Sequence, residues 1–83
     1  MQYPELPGKV RHDICEWWKT VHESGQPGWR EALEELKAKD EFPLLKLGVD
    51  LLEGRASLEA ALASANFVER RVAEIVRDYK DAG

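Results

Sequence analysis

Between Phe42 and Glu53 the chain reads FPLLKLGVDLLE, and on a helix turning about 100° per residue only Lys46, Asp50 and Glu53 form a polar strip. A helix that is apolar over more than half its circumference has to be surrounded, so this segment sets the problem the other residues must solve. The chain has 83 residues, enough for one domain, and at that size only about 60% of the unfolded surface is buried. Few neighbours are available, and each large apolar residue counts.

The neighbours are legible as further helices. Pro4, Pro7 and Gly8 make residues 1–8 an extended lead-in, after which Val10, Ile14, Trp17, Trp18 and Val21 recur at helical spacing from about Lys9 to His22. The stretch ESGQPGW ends that helix, with Gly25 as C-cap and Pro27 as a barrier to continuation. A second helix is expected from Gly28 to Lys39, with Trp29, Ala32, Leu33 and Leu36 on its apolar stripe. Asp40 is placed to cap the third helix, Pro43 is tolerable in its first turn, Gly48 would admit a close neighbour, and Gly54 would cap its end.

Ser57 caps a short fourth helix, Leu58 to about Ser64. Asn66 caps a fifth that runs to about Lys80, with Glu69 three residues on as in a capping box and a stripe of Val68, Val72, Ile75, Val76 and Tyr79. Residues 81–83 are expected to fray. No segment alternates apolar and polar residues as a strand would. The expected fold is therefore all-α: residues 1–83 as a single compact bundle of four to five helices, without β-sheet. The third helix should lie in the middle, with the first, second and fifth around it.

Composition narrows the function classes. Hydrophobic residues make up 43% and charged ones 34%, the balance of a globular domain and not of a disordered tail. No apolar run reaches the roughly 18 residues that span a bilayer, and MQYPELPGKV lacks the pattern of a secretory signal, so a cytoplasmic protein without membrane contact is expected. The single Cys15 cannot form an internal disulfide, in keeping with a reducing compartment. The net charge of −4 arises before residue 55, where seven Lys/Arg meet eleven Asp/Glu; this argues against non-specific nucleic-acid binding.

Nor does the chain carry the parts of an enzyme. His12 and Cys15 are three apart on one helix, but two ligands do not make a structural zinc site, and His22 lies two turns on, about 10 Å from Cys15. Cys15 lacks a base with an orienting third group, and there is no Gly-rich phosphate loop or paired carboxylate set. Lys46 and Asp50 read as an ordinary ion pair one turn apart. No metal, cofactor, small-molecule substrate or catalysis is expected.

Two interaction readings are open. The stretch SLEAALASANFVERRVAEIV, Ser57 to Val76, has the layout of a helix-turn-helix. Asn66 would take the left-handed turn position, and Arg70, Arg71 and Arg77 would contact nucleic acid. Against it, Leu62 is large for the helix crossing, Val68 would have to leave the apolar stripe to face the groove, and Glu69 and Glu74 would approach phosphates that carry about one charge per 1.7 Å of duplex.

The other reading starts from Trp18, which lies at the edge of the first helix's stripe beside Arg11 and His22. Edge tryptophans are favoured protein anchors because an indole buries a large area while its N–H finds a polar partner. With Glu31, Glu34 and Glu35 available to meet a basic partner, the leading expectation is a non-enzymatic acidic interaction protein: a regulator, adaptor or inhibitor. An accessory subunit of a larger enzyme complex would share the same chemistry. Leu44, Leu47 or Leu51, if left uncovered, would drive self-association as a homodimer.

Overall fold

The computed structural model describes residues 6–40 and 42–82. The first five residues of the expected lead-in, Glu41 and the last residue of the expected tail lie outside the described residues. The described chain forms five helices and no strand: α1 (Gly8–Ser24), α2 (Trp29–Glu35), α3 (Phe42–Glu53), α4 (Leu58–Leu62) and α5 (Phe67–Ala82). The all-α class read from the periodicity holds. A radius of gyration of 11.9 Å is that of a compact chain of this length, about 12 Å.

α1 starts where proline permits and stops where glycine invites. Pro7 sits in extended backbone at the N-cap, and its carbonyl accepts the Arg11 N–H at 3.0 Å. Gly25, at φ +65°, takes the left-handed position that closes the last turn.

α2 ends at Glu35, four residues before the expected Lys39. The stop is a Schellman turn: the Lys37 N–H donates to the Glu34 carbonyl at 3.0 Å and the Ala38 N–H to the Leu33 carbonyl at 2.8 Å. Buried Ala38 and Leu33 sit at the positions that usually close this motif with an apolar contact. Lys37 holds the left-handed position at φ +54°, where glycine is usual, so a residue that favours helix conceals the stop from the pattern.

α3 has the expected extent, with the Phe42 N–H donating to the Asp40 carboxylate at 3.0 Å. Gly48 is where α1 comes in: a Cβ there would stand 2.9 Å from Ile14 Cδ1 and 3.4 Å from Leu6 Cδ2. Leu44 and Leu51 are each only 1% exposed, so the expected surplus of uncovered leucines reduces to half-buried Leu47; Phe42, at 45%, is the exposed member of the arc.

α4 is two residues shorter than expected. Ser57 caps its start, accepting the Ala60 N–H at 3.1 Å, while Ser64 is drawn towards α5, its hydroxyl donating to Glu69 at 2.6 Å. At the start of α5 the Asn66 side-chain oxygen accepts the N–H groups of Val68 and Glu69 at 3.0 and 3.1 Å. The reciprocal arm of the capping box runs through Ser64, whose hydroxyl accepts the Asn66 N–H at 3.0 Å and passes its own hydrogen to Glu69. Asn66 is not left-handed as the helix-turn-helix layout expects; among the described non-glycine residues only Lys37 has positive φ. α5 also continues through Ala82, two residues beyond the expected end.

The centre of the bundle is α5 and not α3. α5 packs against all four other helices, and Val68, Val72, Ala73 and Val76 along its inner face are fully buried. Against the twelve-residue α3, the cause is length and side-chain size. Sixteen residues extend about 24 Å, and valines and alanine allow four elements to approach one axis. α3 instead packs against α5 and α1.

Candidate docking surface

On α1, Trp18 lies beside the buried stripe of Val10, Ile14 and Val21, and His22 follows it by one turn. The two rings lie 4.3 Å apart between centroids, tilted by 59°. The His22 Nδ1 is 3.0 Å from the Trp18 carbonyl. A carbonyl can only accept, so Nδ1 carries the hydrogen and the ring is held against its own helix. The chain then reverses through Gly25–Gly28, with Gly28 at φ +81° opening α2, and this turn places the Trp29 ring 4.8 Å from His22 at 58°. The Arg30 guanidinium lies over Trp29 at 5.2 Å. The result is a continuous row, Trp18, His22, Trp29 and Arg30, with half-buried indoles and an exposed imidazole and guanidinium.

Helical spacing found the first two members of this row. It assigned Trp29 to the core stripe of α2 and passed over Arg30, because their contacts cross a turn that periodicity does not describe. Arg11 is exposed on the same edge of α1 but seven residues before Trp18, about 10 Å along the axis, and is not brought into the row. Glu31 and Glu34 are exposed on α2. Glu35 is exposed as well, and its Oε1 accepts the Asn66 amide at 2.8 Å, while the same amide nitrogen donates to the Ala32 carbonyl at 2.8 Å.

The expected nucleic-acid face is arranged differently. The Arg70 guanidinium donates to the Ser64 carbonyl at 3.1 Å, Arg71 pairs with Glu74 at 3.2 Å and stands 5.9 Å over the Trp17 ring, and Arg77 pairs with Asp78 at 3.3 Å. Each arginine has a partner within this chain. Val68, which would have to face a groove, is fully buried, and the helix before the turn has five residues.

Trp17 points the other way from Trp18, edge-on to Phe67 with centroids 6.5 Å apart at 84°. Its Nε1 is buried without a hydrogen-bond partner among the described residues.

At the end of α3, burial pushes the Asp50 carboxyl up, but hydrogen bonds from Lys46 at 3.2 Å and Arg55 at 3.1 Å, with their charges, outweigh it and hold Asp50 below the usual carboxylate range. Arg55 also contacts Glu53, so the expected Lys46–Asp50 pair is part of a four-residue knot. Among the described residues no group of three His, Cys, Asp or Glu side chains could hold a metal, and no helix is long and apolar enough to cross a membrane.

The sequence matches no family model, no curated protein and no solved structure.

Proposed function

We propose that this chain is a non-enzymatic interaction protein of the cytoplasm, a small acidic regulator, adaptor or inhibitor that docks on another protein through the aromatic edge of α1 and α2. The observation that carries the reading is the row Trp18–His22–Trp29–Arg30 at the surface. Two half-buried indoles, fixed by an imidazole between them, present rigid contact area that loses little entropy on binding, and tryptophan and arginine dominate interface energetics. Arg11 extends this edge on one side, and Glu31 and Glu34 offer carboxylates to a basic rim on the partner. Service as an accessory subunit of an enzyme complex would use the same edge. Of the leucines that would drive self-association, Leu44 and Leu51 are buried within the chain and Leu47 is half-buried.

The test is capture of tagged protein from its native lysate, with and without nuclease, comparing wild type with Trp18→Ala and His22→Ala. Partners that survive nuclease and are lost with Trp18→Ala support the reading. Partners retained equally by both variants place the docking surface elsewhere. Capture that collapses with nuclease would return the function to Arg70, Arg71 and Arg77 as nucleic-acid contacts, with affinity falling steeply as salt rises.

A further inference from the structure

Where α2 gives way to α3, two adjoining hollows of about 260 and 380 Å³ share Leu36, Pro43 and Lys46. Leu44 and Leu47 complete an apolar floor, and Phe42, 45% exposed, stands at one end. Lys37 and Lys39 line the same groove, on either side of inward-facing Ala38, and Lys46 crosses its middle.

The charges here run against those of the whole molecule. Lys37 and Lys39 have no side-chain hydrogen bond or ion pair among the described residues, whereas of the two described carboxylates that line the groove Asp50 is ion-paired and Asp40 accepts a backbone hydrogen bond. Asp40 accepts the Phe42 N–H at 3.0 Å, and Asp50 holds Lys46 and Arg55 at 3.2 and 3.1 Å. Exposed Glu34 lies beyond, on the neighbouring hollow that Lys37 and Lys39 also line. A chain of net charge −4 thus sets two ammonium groups, Lys37 and Lys39, unpaired among the described residues at its apolar groove.

Lys37 adds a second observation. It sits at φ +54°, a position glycine takes without the Cβ clash, and its side chain lines the groove. A strained residue is the place to look for a role beyond folding.

We propose that this groove is a second docking site, separate from the aromatic edge, for a short acidic segment of a partner protein. The segment sets apolar side chains on Leu36, Pro43 and Leu47 and carboxylates against Lys37 and Lys39. Charge complementarity selects this occupant. At physiological salt, fields fade over about 8 Å, so a short segment feels the local lysines, while an anionic membrane would face the acidic molecule as a whole. A second copy seated on the same groove would set Lys37 and Lys39 against their own like-charged counterparts.

The probe is a displayed library of random 12-residue peptides selected on the full chain. Selected peptides are then measured by fluorescence anisotropy on wild type, on Lys37→Gly/Lys39→Gln and on Trp18→Ala. The expected result is enrichment of peptides with Asp or Glu beside Leu, Ile or Phe, about tenfold weaker binding to the double variant, and unchanged binding to Trp18→Ala. Unfolding the double variant in urea confirms that it is folded, and Lys37→Gly suits the local backbone. The proposal is overturned if no peptide enriches, if the enriched peptides lack acidic residues, or if the double variant binds them as wild type does. It is equally overturned if Trp18→Ala abolishes binding, which assigns the peptides to the aromatic edge. Phosphatidylserine vesicles that bind through these lysines when no acidic peptide does would give the groove to a membrane and end the proposal. Failure of the aromatic edge in lysate capture leaves this experiment unaffected, because it reads a different set of side chains.

Discussion

Lys37 closes α2 and Asn66 opens α5, and their energetics run in opposite directions. At φ +54° a lysine bears a Cβ clash of roughly 1–2 kcal/mol that glycine avoids, while glycine loses about 0.4–1 kcal/mol more to unfolded-state entropy. The first term wins, so Lys37→Gly should raise stability by about 0.5–1 kcal/mol, read as a higher urea midpoint at unchanged slope. A midpoint that falls would mean the lysine side chain supports the fold. Asn66, 8% exposed, caps α5 with its oxygen and ties α5 to α2 with its nitrogen. Asn66→Ala removes a cap, about 1 kcal/mol, and leaves the Ala32 carbonyl without its donor at about 1–3 kcal/mol, so a loss of about 2–4 kcal/mol is expected in urea unfolding. Asn66→Asp keeps the cap but sets a carboxylate against the Ala32 carbonyl and Glu35; it should be no more stable than the alanine variant at pH 7. If it matched wild type, the cap alone would account for Asn66. The cap was legible from Asn66 and Glu69 three apart. The amide bonds were not, because they join residues more than thirty positions apart and no local spacing encodes them.

Among the elements, the wide apolar arc of α3 announced a buried helix, and its glycine announced a close neighbour. Both are found, with α1 as the neighbour. What the pattern could not rank is which helix is central. A wide arc and a narrow stripe of small side chains both lead inward, and the choice turned on α5 being long and lined with Val and Ala. The α1–α3 approach can be tested directly. Gly48→Ala gains about 1 kcal/mol of helix propensity but sets a methyl 2.9 Å from Ile14 Cδ1, inside a packed core where overpacking costs typically 1–3 kcal/mol. A net loss of about 1 kcal/mol is expected. Ile14→Val removes the offending Cδ1, so it should be less destabilising in the Gly48→Ala background than in wild type, a coupling that a double-mutant cycle measures. Strict additivity would mean that the helices separate freely.

For the molecule as a whole, the legible part of the candidate surface is the part that lies on one helix. Trp18 and His22 follow from 3.6-residue spacing, whereas Trp29 and Arg30 arrive by a chain reversal whose direction depends on Gly25 and Gly28. Charge behaves in the same way: Lys46 and Asp50 were legible one turn apart, and Arg55 was added by the turn after Gly54, where its N–H reaches the Asp50 carbonyl at 2.8 Å. This knot gives stability a pH dependence of definite sign. The Asp50 carboxyl titrates below its ordinary value of 3.8 when folded, so the folded state binds this proton less readily than the unfolded one. Its contribution is therefore fully present above about pH 5 and is lost as the pH falls below 4 and through the folded value. Because the partners are largely exposed, the contribution should be about 1 kcal/mol or less. Asp50→Asn removes the titrating group, so wild type should exceed it by a constant margin between pH 5 and 7, with the two converging as the pH falls towards 2. Urea midpoints across that range provide the measurement. A margin that persisted undiminished at pH 2 would show that the carboxylate's charge contributes nothing and that the side chain acts by shape alone.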